Sequence, residues 1–521
     1  MRARGAATVG AGLAPARLAR PIRPGERIHV VGAAGAGASA AALLAAWAGA
    51  EVDGCDPGGP SSYTPALDAA GIHVAATHDA SHVVHGQPER LAVTKALTAI
   101  NPDHPELVAA RGSGIPVEPW QQVVADAAYG RLLVGVAGTH GKSTTSGWLV
   151  HVLTAAGADP GAFVGALLPA SLTGLGLPAT ARQGRGAPFV VEADEYAGNF
   201  DPYHPDVIVL TSAEWDHPDV FEDRAAVLAA FEAWIRAAAV VVTARGQTPV
   251  LVANVADDGV AEICGRLGDW PGHLIATRLA SGTGETAPMP ALATRLGPAT
   301  ALDARITALE PEKTVLEVSG LDATPVAVTL RSAGRHNAAN ALGVAGAALA
   351  LGIAPEAIAD GLGSFEGVGR RLECKGEARG VVVYDDYAHH PTAIRETLAA
   401  VRQREPGRRV WAVYEPLTFH RTASLLEAFA AVLATADAVA VADIWAGRDP
   451  DTTITSSVEL AAGVAMRRPL IPVAAPGSVE ATASWLAREV REGDAVLVMG
   501  GGRSYRIGEL LLERLTARGD A

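Results

Sequence analysis

Apolar residues along this chain fall mostly in short runs, and many of the runs end in glycine or in an acidic residue. Ile28-His-Val-Val31, Leu132-Leu-Val134, Phe189-Val-Val191, Val207-Ile-Val-Leu210, Val381-Val-Val-Tyr384, Ala438-Val-Ala-Val-Ala442 and Ala495-Val-Leu-Val-Met499 share this form. Unbroken runs of this length predict strands buried on both faces, as in a parallel sheet. Between them lie stretches with apolar residues three and four apart. Gly147–Leu153 places Trp148, Leu149 and Val152 on one helical face. Ala38–Ala48 and the stretch from Gly334 predict alanine-rich helices. Strand and helix alternate throughout, so the predicted class is α/β.

Glycine, proline and charge divide the chain. Residues 1–24 hold five arginines and no acid, and residues 1–26 are expected to form a disordered tail. Order is expected from Arg27. A first Rossmann-like domain is assigned to 27–125, with a linker near Tyr129-Gly130. A central P-loop-type ATPase domain is assigned to 126–370, and a Rossmann-like C-terminal domain to 371–521. No apolar run reaches the ~18 residues of a membrane span, so a soluble cytoplasmic protein without membrane insertion is expected. The formal charge of −14 argues against nucleic acid as a partner. Cys55, Cys264 and Cys374 are scattered and form no paired motif, so three buried thiols are expected.

The chemistry concentrates at strand ends. Gly138-Thr139-His140-Gly141-Lys142-Ser143-Thr144 joins a predicted strand to a predicted helix. Such a turn directs backbone N–H groups and the positive helix end at one point, which suits a polyphosphate. Lys142 adds a charge for the terminal phosphates and Ser143 a hydroxyl for Mg²⁺. Val136 stands where the longer form of this motif has its first glycine. Two further strands end in Glu192-Ala-Asp194-Glu195 and in Glu214-Trp-Asp216-His217. In a parallel sheet both ends would flank the phosphate loop, where oxygen donors suit Mg²⁺. His336 and Asn337 open an alanine-rich helix and could read a base edge or simply cap it. The first βαβ unit, with Gly32, Gly35, Gly37 and then Asp56, resembles a dinucleotide fingerprint in which Ala34 occupies a glycine position. A nicotinamide dehydrogenase would rest on that turn alone.

Read together, the motifs resemble the Mur ligases, the ATP-dependent amide-bond formers of peptidoglycan synthesis. The resemblance covers nearly the whole chain after Arg27. Its specific pieces are the phosphate loop, Glu192-Ala-Asp-Glu195, Asp216-His217, Gly334-Arg-His-Asn-Ala-Ala-Asn340, Gly367-Val-Gly-Arg-Arg371 and Asp385-Asp-Tyr-Ala-His-His-Pro391. It implies a first domain for the UDP-sugar at Gly32, Gly35, Gly37 and Asp56, and ATP at the phosphate loop, His336, Asn337, Arg371 and Asp386. It also implies metal at Ser143, Glu192 and His217, catalytic roles for Lys142, His217 and Arg371, and the amino acid at His389, His390 and Arg421. The implied reaction joins L-alanine to the lactyl carboxylate of UDP-N-acetylmuramate through an acyl phosphate, with ATP and Mg²⁺, in a monomer or homodimer. Phe221–Ala239 lacks the lysine that several other branches carry, which favours the alanine-adding and peptide-recycling branches. Two departures stand out. Cys55 replaces a usual serine, and in Glu415-Pro-Leu-Thr-Phe-His-Arg-Thr422 Leu417 and Thr418 replace a histidine and an arginine expected near the amino-acid carboxylate. They leave open a different amino acid, a recycling ligase, or a non-catalytic paralogue that binds a muramyl nucleotide. A folylpolyglutamate-synthase-like ligase shares the ATP core, but residues 27–125 argue against it.

Overall fold

The computed structural model describes residues 9–280, 299–447, 449 and 451–517. Three sheets follow one another along the chain. The first is fully parallel, with strands β1 (Arg27–Val31), β2 (Glu51–Cys55), β3 (Val74–Ala75), β4 (Arg90–Val93) and β5 (Val117–Pro119) in the order β3-β2-β1-β4-β5. Strand alternation sends Ile28, Val30 and Ala92 to one face, under the helix Ala36–Trp47. It sends Val31, Leu91 and Val93 to the other, under Ser81–Val84 and Pro105–Gly112. The helix Trp120–Ala127 packs on Ala36–Trp47 and runs across the expected 125/126 boundary. The chain leaves this layer at the Tyr129-Gly130 turn.

The expected tail is ordered from residue 9 to residue 26. Val9 and Ile22 are buried, and the Ala14 N–H donates to the Val117 carbonyl at 2.8 Å. Arg17 bridges Glu118 at 3.0 Å and Asp126 at 2.8 Å. Fully buried Arg90 meets the same two carboxylates at 3.0 and 2.5 Å, and Glu26 at 3.2 Å. Arg17 and Arg20, expected in a disordered tail, are thus counter-ions for the buried acids Glu118, Asp126 and Glu26; residues 1–8 lie outside the described residues.

The middle sheet has ten strands. Its centre is the phosphate-loop strand Leu132–Ala137, parallel to Pro188–Glu192 on one side and Val207–Leu210 on the other. Both acidic strand ends therefore emerge beside the loop, as predicted. The far edge turns antiparallel through Ala299–Glu310, Lys313–Ser319 and Val326–Leu330. The helices Lys142–Ala155 and Arg335–Ala350 pack together against the sheet. Trp148 is wholly buried and stacks on Phe365 with centroids 4.8 Å apart.

Arg224–Ala244 is a 21-residue helix long and apolar enough, by length and composition, to cross a membrane. It was not singled out from the sequence because Glu232 and Arg236 interrupt it. Those two pair at 3.0 Å on one side, while Val227, Leu228, Phe231, Trp234 and Ile235 are buried on the other.

The third sheet has six strands, five of them parallel. Asp494–Gly500 lies between Val381–Asp386 and Arg409–Glu415. The carboxyl ends of these central strands carry Asp385, Asp386, Glu415 and Gly500 together. Of the three cysteines, Cys55 and Cys264 are buried, but Cys374 on the antiparallel edge strand is exposed. Glu373–Ala378 ends the sheet, so Cys374 has a neighbouring strand on one side only.

Candidate active site

The phosphate loop closes on itself. Gly141, at φ +81°, sits at the helix N-terminus, where an added Cβ would stand 2.4 Å from Asn340 Oδ1. Only glycine fits that turn and that approach. The His140 N–H donates to Ser212 Oγ, and the Thr139 hydroxyl is bound to the Glu214 backbone at both its donor and acceptor positions. The loop is thereby anchored to the next strand end. Lys142 Nζ donates to the Gly138 carbonyl at 2.7 Å and to Glu195 Oε2 at 2.9 Å, and lies 3.7 Å from Asp194. Burial works against its charge, but Glu195 and Asp194 outweigh it and hold the ammonium form well above its ordinary range.

Ser143 is the link to the third domain. Its hydroxyl donates to Glu192 Oε1 at 2.9 Å and accepts from Arg371 Nη2 at 2.8 Å. Glu192 Oε2 accepts the Gly165 N–H at 2.6 Å. Burial raises the Glu192 carboxyl despite Arg371 and Lys142 nearby, so this acid is short of positive charge. The Ser143 hydroxyl and the Glu192, Asp194 and Glu195 carboxylates are hard oxygen donors, a set that fits Mg²⁺.

His217 stands in a left-handed backbone conformation, φ +56°, and groups with Asp194 and Glu195 rather than directly with Glu192. Its Nε2 is 3.9 Å from Glu195, while its Nδ1 accepts from Arg421 Nη2 at 3.0 Å. A neutral ring accepting at Nδ1 carries its proton on Nε2. The metal role inferred for His217 therefore requires that contact to part or that proton to leave. Arg421 also donates to Asp216 Oδ1 at 2.9 Å through Nε and lies 2.8 Å from it through Nη2. Burial opposes the charge of Asp216, but Arg421 holds its carboxyl well below the usual range.

Two adjoining cavities meet at His140, Gly141 and Arg371. The smaller, about 370 Å³, is lined by Thr144, His336, Asn337, Asn340, Arg371 and Asp386, so the adenine-side candidates do converge. His336 Nδ1 is buried without a hydrogen bond, which leaves it available to a ligand. Asp386 instead braces the loop, accepting the Leu372 and Ala388 N–H groups at 2.7 Å each.

The larger cavity, about 630 Å³, reaches from Gly37 and Trp120 of the first domain past Lys142, Ser143, Glu192 and His217 to His389, Leu417, Thr418 and Arg421. His390 caps the helix Pro391–Arg404, and burial lowers it to about 4. Burial pushes His389 well below its ordinary value, so both are neutral near pH 7. Gly32 and Gly35 do not line this space. Asp56 accepts the Ala34 N–H at 3.1 Å, so it ties the glycine turn together.

Some lining residues went unrecognised in the sequence. Glu195, which the sequence does not distinguish from the acids beside it, is the direct partner of Lys142. Tyr387, under the Arg371 guanidinium at 5.1 Å, and Trp445, whose carbonyl accepts the Thr418 N–H, were missed. The aromatic beside Asp386 was a usable signal for Tyr387. Trp445 offered none, since it follows its strand by three residues in an unremarkable loop. Thr418 adopts φ +62°, a strained setting for a β-branched residue, at the cavity wall.

A phosphate loop set against a carboxylate cluster, with an arginine from a separate domain on its serine, is a site for a nucleotide polyphosphate, and the family matches show the class of enzyme it serves, an ATP-dependent, ADP-forming ligase. Three family models match in succession: the Mur ligase family catalytic domain over residues 27–131, the Mur ligase middle domain over 136–348, and the Mur ligase glutamate ligase domain over 370–502. The chain belongs to the Mur ligase family. Similar sequences include UDP-N-acetylmuramate–L-alanine ligases from Kineococcus radiotolerans, 37% identical over 94% of this chain and 97% of that one, and from Roseiflexus sp., 35% identical over 94% and 98%. Among solved structures, UDP-N-acetylmuramate-alanine ligase from Thermotoga maritima superposes with a TM-score of 0.74 at 21% identity, covering 94% of this chain and 99% of that one.

Proposed function

We propose that this Mur ligase joins L-alanine to the lactyl carboxylate of UDP-N-acetylmuramate, converting ATP to ADP and phosphate. The observation that carries the reading is Arg371 Nη2 at 2.8 Å from Ser143 Oγ: a third-domain cation reaches into the phosphate loop, above a cavity that extends to the first domain. The names of the relatives above support the choice of substrates.

In this reading the loop amides and Lys142 hold the polyphosphate, and Arg371 spreads the charge that grows as the carboxylate oxygen meets the γ-phosphorus. Ser143, Glu192, Asp194 and Glu195 would hold Mg²⁺, which when bound offsets the phosphate charge that otherwise repels a carboxylate. Breaking the bond to ADP leaves an acyl phosphate. The amine attacks its acyl carbon and phosphate departs, taking the electron pair of the acyl–oxygen bond. Leu417, Tyr387 and Trp445 wall the third-domain side and keep water from that carbon. His389 lines the same cavity, and its Nδ1 donates to the Tyr387 carbonyl at 2.8 Å, which leaves Nε2 as an acceptor for an amine N–H.

A phosphate-release assay with ATP, Mg²⁺, UDP-N-acetylmuramate and a panel of amino acids tests this. L-alanine is expected to give the highest kcat/KM. The Leu417-Thr418 wall supports a second reading, a Mur-type ligase for a different amino acid or a peptide, which a higher kcat/KM for another panel member would establish. No phosphate release with any acceptor overturns both readings.

A further inference from the structure

We propose that the first domain carries a tetrahedral transition-metal site of the zinc class, built from His29, Cys55, His82 and Glu106. His29 lies on β1 and Cys55 is the last residue of β2, while His82 and Glu106 come from the helices Ser81–Val84 and Pro105–Gly112. One donor atom from each of the four lies within 4.8 Å of all the others. Cys55 Sγ is 3.2 Å from both oxygens of Glu106, and His29 Nε2 is 3.7 Å from Glu106 Oε2. A tetrahedral ion with bonds of about 2.0–2.3 Å has donor–donor edges of about 3.3–3.8 Å, close to these separations. The His82 Nδ1 to Glu106 Oε1 edge, at 2.7 Å, is shorter and would open as both turned to a shared ion.

Two observations separate this cluster from an ordinary buried hydrogen-bond network. His29 is 1% exposed, and its Nε2 has no hydrogen-bond partner although it points among the other donors. Its Nδ1 is held at 2.8 Å by Asp53 Oδ1, in the place of the outer carboxylate of a ligating histidine. Burial opposes charge on this ring, but Asp53, Cys55 and Glu106 raise it to about 11, so a bound ion would take the place of the Nε2 proton. An ion would displace the thiol proton that Cys55 now gives to Glu106, and the resulting thiolate and carboxylate with two neutral imidazoles would sum to −2, which suits a dication. His78 and His104 stand alongside. His78 Nδ1 is 3.2 Å from Cys55 Sγ, and buried His104 leaves both ring nitrogens unbonded. His78 and His82 are each about one-fifth exposed and give the ion a route in from solvent.

None of the six residues lines the reaction cavity, which touches the first domain at Ala36, Gly37, Ala96, Ile100, Trp120 and Gln121. The ion would fasten two short helices, of four and eight residues, to the two central strands. Helices of that length hold little structure by themselves, so the site is structural.

Untagged protein, purified and gel-filtered without chelator, is expected to carry about one equivalent of zinc by mass spectrometry. After exchange into Co²⁺ it should show a thiolate-to-cobalt charge-transfer band and the strong visible bands of four-coordinate cobalt. Cys55→Ser should remove the charge-transfer band, His82→Gln should lower the metal content, and Cys264→Ser should change neither. The oxygen donors around Ser143 hold no thiol, so the catalytic metal cannot supply that band. Folded wild-type protein without stoichiometric transition metal, or with Co²⁺ bound only in a weak six-coordinate spectrum lacking the sulfur band, overturns the proposal. Should Cys55→Ser not fold, the wild-type cobalt spectrum decides alone.

Discussion

Lys142 is placed where its charge matters most, buried between a carbonyl and two carboxylates at the mouth of the phosphate loop. Lys142→Ala is expected to lower turnover about 10²–10⁴-fold with little change in fold, as electrostatic groups aimed at a transferring phosphoryl do. Phosphate release at wild-type rate would refute that role. Glu415 makes a different prediction. Burial raises its carboxyl to about 7, and the amides of Ser504 and Arg503 only partly compensate. The folded state therefore binds a proton that the unfolded chain has already released near pH 4.5. Stability present below that pH is lost as pH climbs to about 7. Glu415→Gln should flatten this decline and raise stability at pH 8 by about 1–3 kcal/mol, read from urea midpoints across pH. Lys142 and Ser143 were legible because their chemistry depends on local spacing. Glu195 was not, since three adjacent acids look alike until a partner selects one.

The first-domain layer rests on contacts between elements distant in sequence. Arg17 reaches Glu118 and Asp126 across 101 and 109 residues, so no local pattern could have revealed the order of residues 9–26. A chain starting at Arg27 loses Arg17 and Arg20 and leaves Glu118 and Asp126 to Arg90 alone. It is expected to lose about 3–5 kcal/mol, measured by denaturant unfolding, because carboxylates would remain buried and under-paired. Gly37→Ala should also destabilise, since the new methyl would lie 2.1 Å from the Trp120 ring where the helices Ala36–Trp47 and Trp120–Ala127 meet. Unchanged unfolding of either variant counts against this packing account. Strands were the legible elements, because unbroken apolar runs between turns leave few alternatives. The extent of Trp120–Ala127 was not, because its stop depends on the layer beneath it.

At the scale of the molecule, the site exists only where three sheet layers meet. Arg371 on Ser143 and Arg421 on Asp216 and His217 bind the third domain to the second, together with Gln403, which bridges Gly334, Glu310 and Thr314. Arg421→Ala is expected to raise the amino-acid KM and to increase the radius of gyration in solution scattering. An unchanged scattering curve would show that this contact does not hold the domains together. The order of motifs foretold three domains, but not this closeness, which depends on side chains from different domains meeting in space.

Glu195 gives the phosphate loop an anion of its own. An arriving γ-phosphate must compete with a tethered carboxylate for the same ammonium group. Where Lys142 takes the terminal phosphate, as proposed above, metal-free nucleotide is expected to bind less tightly than it would to an unpaired lysine, and Glu195 to take the ammonium back once the nucleotide leaves. Glu195→Gln, assayed for ADP binding in chelator, should hold the nucleotide more tightly and release it more slowly.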